Sequence, residues 1–190
     1  MNIRGERIDT LDEPVFKTIG RDLLSVAIKL GHVIIPLRGR EKELRNWDLW
    51  GPLILSFLLA TTLTFAAQNQ ETLIFSGIFV IVWVGSFVVT INAILLGGKI
   101  SFFQSVCVLG YCLGPLDIAA FACLFWDNII YRILVVAVAF AWSVLASWGF
   151  VASMMPEEKR SRNALAVYPV FLFYLVISWM IVVMRDVAER

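Results

Sequence analysis

The sequence predicts an all-α polytopic integral membrane protein, with five transmembrane helices behind a cytosolic N-terminal region that contains an amphipathic helix. Composition is the first reason: 59% of the 190 residues are hydrophobic and 16% are charged, where a soluble domain carries roughly 25% charged residues. Mean hydropathy is +0.81. Charge placement is the second reason. Residues 1–50 hold nine of the 16 Lys/Arg and eight of the 15 Asp/Glu, so these positions can be solvated and most of the rest cannot. The third is length: five apolar runs follow, each near the ~20 residues a helix needs to cross ~30 Å of hydrocarbon. The organisation expected is a cytosolic region over residues 1–50, a five-helix membrane domain over 51–184 and a short lumenal tail over 185–190.

The N-terminal region opens with MNIRGERIDTLDEP, which has no apolar core of the signal-peptide kind. The first segment able to engage a membrane begins near Pro52 and reads as an uncleaved anchor. Before it, residues 10–36 look helical over much of their length. Thr10 with Glu13 fits a capping box and Pro14 suits a first helical turn. Phe16, Ile19, Leu23, Val26 and Leu30 recur at spacings of three and four, with Lys17, Arg21 and Lys29 on another side. Such a helix lies in the bilayer interface, or docks on the protein's own cytosolic face or on a partner. Pro36 ends it. His32 is the only histidine and reads as interfacial.

The first apolar run, Gly51–Ala67, is entered through NWDLWGP and ends at the polar cluster QNQE. Trp47 and Trp50 suit the headgroup level, where an indole has an apolar body and a polar N–H. Asp48 suits an N-cap, and Pro52 a first turn where its missing N–H costs no bond. The second run, Leu73–Leu96, stops at Gly97-Gly98-Lys99. The third is Phe102–Phe125, the fourth Ile133–Met155 and the fifth Leu165–Met184. With five crossings, the N-terminal side collects 13 Lys/Arg and the other side only Arg132, Arg185 and Arg190. That asymmetry predicts a cytosolic N-terminus and a lumenal C-terminus.

The third run is the unusual one. Within LGYCLGPLD, Gly110 and Gly114 form the GxxxG spacing that lets helix backbones approach closely in lipid. Pro115 predicts a kink or break. Asp117 follows, and a carboxylate deep in hydrocarbon costs ~2.5–3.5 kcal/mol even on the lenient insertion scale, so it should face protein or water. Asn92 and Gln104 are the candidate neighbours, and the kink could instead carry Asp117 toward the lumenal surface. Cys107, Cys112 and Cys123 fall in the same run at spacings that match no zinc motif, and read as small buried hydrophobes.

Several function classes lack parts. There is no acid-free basic patch for nucleic acid. There is no Ser/His/Asp set, metal-ligand constellation or Gly-rich phosphate loop, so neither an enzyme nor a cofactor is expected. A carrier for a small solute or lipid, using the kinked third span, Asp117 and Asn92, is the alternative to a scaffold. Against it, five spans do not divide into inverted repeats. A purely structural subunit is the third reading.

Asp48-Leu49-Trp50-Gly51-Pro52 and Gly110-Tyr111, taken together, resemble the D-L-Y-G-P and G-Y motifs of the Yip family of Golgi and early-secretory membrane proteins. Tryptophan stands at position 50 where the family commonly has tyrosine, which keeps an interfacial aromatic and removes its hydroxyl. TLDEPV, RNWDLWGPLI, LLGGKISFFQSVCVLGYC and ALAVYPVFLFYLVISWM extend the likeness from residue 10 to residue 181, and are similar to the branch numbered six in mammalian naming.

The resemblance implies five spans, a Golgi membrane location with cycling through the endoplasmic reticulum and endosomes, and a part in vesicle-mediated protein transport. It also implies partners: the lipid bilayer, prenylated small Rab-type GTPases, and other Yip-family proteins in hetero-oligomers. The partner-binding residues it points to are Asp48, Leu49, Trp50, Gly51, Pro52, Gly110 and Tyr111, with Gly114, Pro115 and Asp117 added by the chemistry of the third span. Glycine-rich helix faces would pack partners within the membrane. A groove beside the third span, at Gly110, Gly114 and the Pro115 kink, would hold a prenyl chain.

Overall fold

The computed structural model describes residues 15–34, 49–66, 71–98, 100–126, 128–154 and 163–188. Among them the chain is all-helical, in seven helices: α1 Val15–Ile34, α2 Trp50–Ala66, α3 Glu71–Leu95, α4 Phe102–Tyr111, α5 Gly114–Phe125, α6 Ile129–Met154 and α7 Asn163–Ala188. Four segments are long and apolar enough to cross a membrane: Thr72–Leu95, Phe102–Phe125, Ile129–Gly149 and Leu165–Val183. The first apolar run forms a shorter apolar helix, at the lower end of the ~17–25 residues a span takes. Its helix, α2, has 17 residues, about 25 Å at 1.5 Å per residue, against roughly 30 Å of hydrocarbon.

Successive helices pack as neighbours, α2 on α3, α3 on α4, α5 on α6 and α6 on α7, and α7 closes back on α3. The centre of the bundle is the α4–α5 segment. Ten consecutive residues, Ser105 to Gly114, are all buried, so this stretch is packed around its whole circumference rather than along one stripe. The other long helices keep broad apolar faces turned outward, such as Val80, Val84 and Val88 on α3. Outward apolar faces on this scale are those of a bundle solvated by lipid. This is a membrane protein.

Local chemistry sets the breaks. At the end of α3, Gly97 takes φ 86°. Its amide bonds to Ile94 O at 2.9 Å and the Gly98 amide to Ala93 O at 2.9 Å, the paired bonds of a Schellman cap that an L side chain at Gly97 would strain. Ser101 then opens α4 with a capping box, in which its hydroxyl accepts from the Gln104 amide while the Gln104 side chain accepts from the Ser101 amide.

The expected kink is a full break. α4 ends at Tyr111, Cys112 and Leu113 turn, and α5 restarts at Gly114 with Pro115 in its first turn. There the missing proline amide forfeits no intrahelical bond.

Three buried hydroxyls bond back to their own helices: Ser56 to Pro52 O at 2.6 Å, Thr90 to Ser86 O at 2.6 Å and Ser147 to Ser143 O at 2.7 Å. Such i−4 bonds let a polar residue sit in an apolar helix without a partner helix. Cys107, Cys112 and Cys123 are buried, as expected of small hydrophobes.

Candidate functional site

Two motifs that lie about sixty residues apart in the chain meet at the break between α4 and α5. A Cβ added at Gly51 would overlap the hydroxyl and ring of Tyr111. A Cβ at Gly110 would lie 2.5 Å from Pro52 Cβ and 2.8 Å from Pro52 Cα. The contact is reciprocal: each motif supplies a glycine that receives the neighbouring motif's ring. Tyr111 is 1% exposed and Gly51, Pro52 and Gly110 are buried with it. Contacts at this distance require glycine because no other residue lets the backbone approach a ring so closely.

Gly114, the second glycine of the GxxxG, receives a different element. A Cβ there would meet Leu30 Cδ1 from α1. The two glycines therefore seat α2 and α1 of the same chain. Within the chain, Gly110 and Gly114 thus receive the protein's own side chains.

Helix α1 lies over this junction. Val26 and Val33 are buried and Leu30 packs against the core beside them, one stripe at spacings of four and three. The Trp142 indole Nε1 of α6 donates to Val33 O at 3.2 Å. Lys29 was expected on the side away from the apolar stripe, but its Nζ stands 5.7 Å from the centroid of the Tyr111 ring, within cation–π range. The long alkyl stem makes this possible, since it carries the ammonium around to a ring that the stripe alone would not predict. The outer side of α1 is also apolar in part: Leu24 is 62% and Ile28 51% exposed, near exposed Arg21 and Ser25.

The break creates a polar problem that a third set of residues solves. The Leu113 amide turns to Gly110 O at 3.1 Å instead of Leu109 O. The Leu109 carbonyl instead accepts a hydrogen bond from the Tyr174 hydroxyl of α7, at 3.0 Å. Ser147 Oγ of α6 lies 3.0 Å from that hydroxyl. Tyr174 and Ser147 are both fully buried. Nothing in their local sequence separates them from other polar residues in apolar helices, and only the tertiary contact identifies them.

The remaining expected residues are placed as follows. Asp48 lies outside the described residues. Leu49 accepts from the Leu53 amide at 3.2 Å and stands just before α2. Trp50 is 63% exposed. Pro115 is partly buried at the start of α5. Asp117 is 5% exposed, and neither carboxylate oxygen has a hydrogen-bond partner.

Its two expected neighbours are engaged elsewhere. Asn92 Nδ2 donates to Leu165 O at 3.0 Å, tying α3 to α7, and the Gln104 side chain caps α4. Both were candidates by depth in the sequence, but helix rotation points them to other acceptors. Asp117 is packed against protein, and α5 continues for eight residues beyond it. Among the described residues no group of three or more His, Cys, Asp and Glu side chains could hold a metal ion.

Comparison with known proteins bears on these motifs directly. The family model described as the Yip1 domain matches residues 32–180, which span both motifs. The Dictyostelium discoideum protein called Protein YIPF6 homolog is 51% identical over 183 residues, covering 95% of this chain and 99% of its own. Human Protein YIPF6 is 51% identical over 182 residues, covering 90% of this chain and 75% of its own. Protein YIP4b of Arabidopsis thaliana is 41% identical over 181 residues, covering 94% of this chain and 64% of its own. No solved structure matches the chain at a significant level. With the family model covering most of the chain and relatives of this identity along nearly its full length, the protein belongs to the Yip1 domain family.

Proposed function

We propose that the protein is a non-enzymatic scaffold of Golgi and early-secretory membranes that acts in vesicle-mediated transport. It crosses the bilayer five times, with its N-terminus cytosolic. It recruits small prenylated Rab-type GTPases, pairs with Yip-family siblings, or does both. Burial supports an indirect role for most motif residues: Gly51, Pro52, Gly110, Tyr111 and Gly114 touch one another or α1 and offer no surface to a soluble protein.

The observation that carries this reading is the docking of α1. The motif junction holds its inner stripe of Val26, Leu30 and Val33, and its outer side presents Leu24 and Ile28 beside Arg21. A partly apolar outer helix face suits a protein partner arriving at the membrane surface. The test is a gentle-detergent pull-down from cross-linked Golgi-enriched membranes, read by mass spectrometry against an unrelated five-span protein. Enrichment of a small GTPase or a Yip-family sibling supports the scaffold, and recovery of the protein alone contradicts it.

A second reading rests on Asp117. A buried carboxylate with no partner is costly in an apolar bundle, and a carrier for a small solute or lipid would use it. That carrier predicts flux in liposomes that Asp117→Asn abolishes, whereas the scaffold predicts none.

A further inference from the structure

Helix α1 is held far less deeply than the helices beneath it. Among its described side chains only Val26 and Val33 are buried, whereas α4 and the break are buried without interruption from Ser105 to Gly114. The contacts that define its seat are Leu30 on Gly114, Val33 O with the Trp142 indole, and the Lys29 ammonium over the Tyr111 ring. We propose that α1 is a detachable strap, which leaves this seat without opening the bundle and lays its inner stripe in the bilayer interface.

Solvation decides how firmly the seat holds. Moving Val26, Leu30 and Val33 into water would be costly and would keep α1 in place. Beside a membrane the same stripe has a second apolar position, because an amphipathic helix sinks one face ~5–10 Å into the interface. Apolar burial is then similar in the two positions and nearly cancels. What remains in favour of the bundle is the fit: one aliphatic side chain against a glycine, one hydrogen bond and one cation–π contact. A single contact of this kind changes an equilibrium constant by roughly fivefold. The released position also suits the flank of the helix. Arg21 and Ser25 are exposed and Lys29 is half-buried, so the Lys29 stem can carry its ammonium from the ring to the headgroups.

Separability follows from where the contacts fall. Tyr111 is seated against Gly51 of α2, and α5 packs on α2 and α6. The bond from Tyr174 to Leu109 O, which secures the break, does not involve α1. Removing α1 leaves these contacts in place, as expected of a unit that opens locally. For a scaffold the strap regulates the partner face. Docked, α1 presents Leu24 and Ile28 above the motif junction; released, it carries them away from it. That use rests on the partner-binding reading above, and the exchange itself does not.

The test is a distance measurement on the full chain in nanodiscs, between nitroxides at Ser25 on α1 and Leu145 on α6, both exposed. A second pair, at Val84 and Leu145, monitors the bundle. Leu30→Ala, Trp142→Phe and Lys29→Ala should each raise the released-to-docked ratio by about fivefold. Combined, they remove every hold named above. A second Ser25–Leu145 distance should then become the main one while the Val84–Leu145 distance stays fixed. Circular dichroism should show no loss of helix, since the interface keeps α1 folded. A docked distance that survives the triple change overturns the proposal. So does a shifted Val84–Leu145 distance, which would make α1 part of the bundle's own fold, and so does melting of α1. Loss of partner capture at Leu24 and Ile28 bears on the partner reading alone.

Discussion

The Tyr111 ring occupies the space that a side chain at Gly51 would need, and Tyr111 is itself 1% exposed. Neither residue can yield without moving the start of α2 or the end of α4. Gly51→Ala should therefore destabilise the protein by about 1–3 kcal/mol, the usual cost of overpacking. Tyr111→Leu opens the space, so in its background the alanine should cost little, giving a coupling of at least about 1 kcal/mol. Thermal unfolding of the four variants in one detergent measures it.

Gly110→Ala should cost more than Gly51→Ala. Its new methyl meets Pro52 Cα as well as the ring, and backbone atoms cannot rotate aside. A cost near or above the roughly 3 kcal/mol upper end of overpacking is expected, seen as a lower midpoint than that of Gly51→Ala in the same unfolding series.

Tyr174→Phe leaves the Leu109 carbonyl buried without a donor. The penalty for such an orphan is about 1–3 kcal/mol. Ser147→Ala should cost less, because the Tyr174 hydroxyl keeps its bond to Leu109. Equal losses in the two variants would show that the pair, and not the donated bond, matters.

Trp142→Phe keeps an aromatic ring but removes the bond to Val33 O. Amides of α1 should exchange about fivefold faster or more, as loss of one hydrogen bond of ~1 kcal/mol implies, while those of α4 and α5 stay unchanged. Uniform acceleration across the bundle would contradict local docking.

Asp117→Leu tests whether the acid is a structural burden. Replacing an unpartnered buried carboxylate by an apolar group of similar size should raise stability by about 1–3 kcal/mol. A loss of stability would show that the carboxylate engages a water or ion within the bundle.

The helices were legible where composition and punctuation speak. Apolar runs, Gly97-Gly98 and Gly114-Pro115 mark most of the breaks. Helix rotation was not legible, because lipid-facing and core-facing positions are both apolar: on α3, buried Ile78, Val82 and Val89 alternate with exposed Val80, Val84 and Val88. Without an amphipathic signal, the sequence could not say that Asn92 turns to Leu165 or that Gly114 receives Leu30. Gly51 and Tyr111 each read locally as part of a helix entry and a helix end. Their meeting is a long-range contact, and only the fold brings the two motifs into one site.

The most direct measurement replaces Leu24 and Ile28, one at a time, with a photoactivatable residue in the full chain within Golgi-enriched membranes. The account predicts capture of a small GTPase or a Yip-family sibling from both positions, and much weaker capture from Val84 on the lipid face. Capture of lipid alone from positions 24 and 28 would contradict it, since the outer face of α1 would then meet the membrane and not a partner.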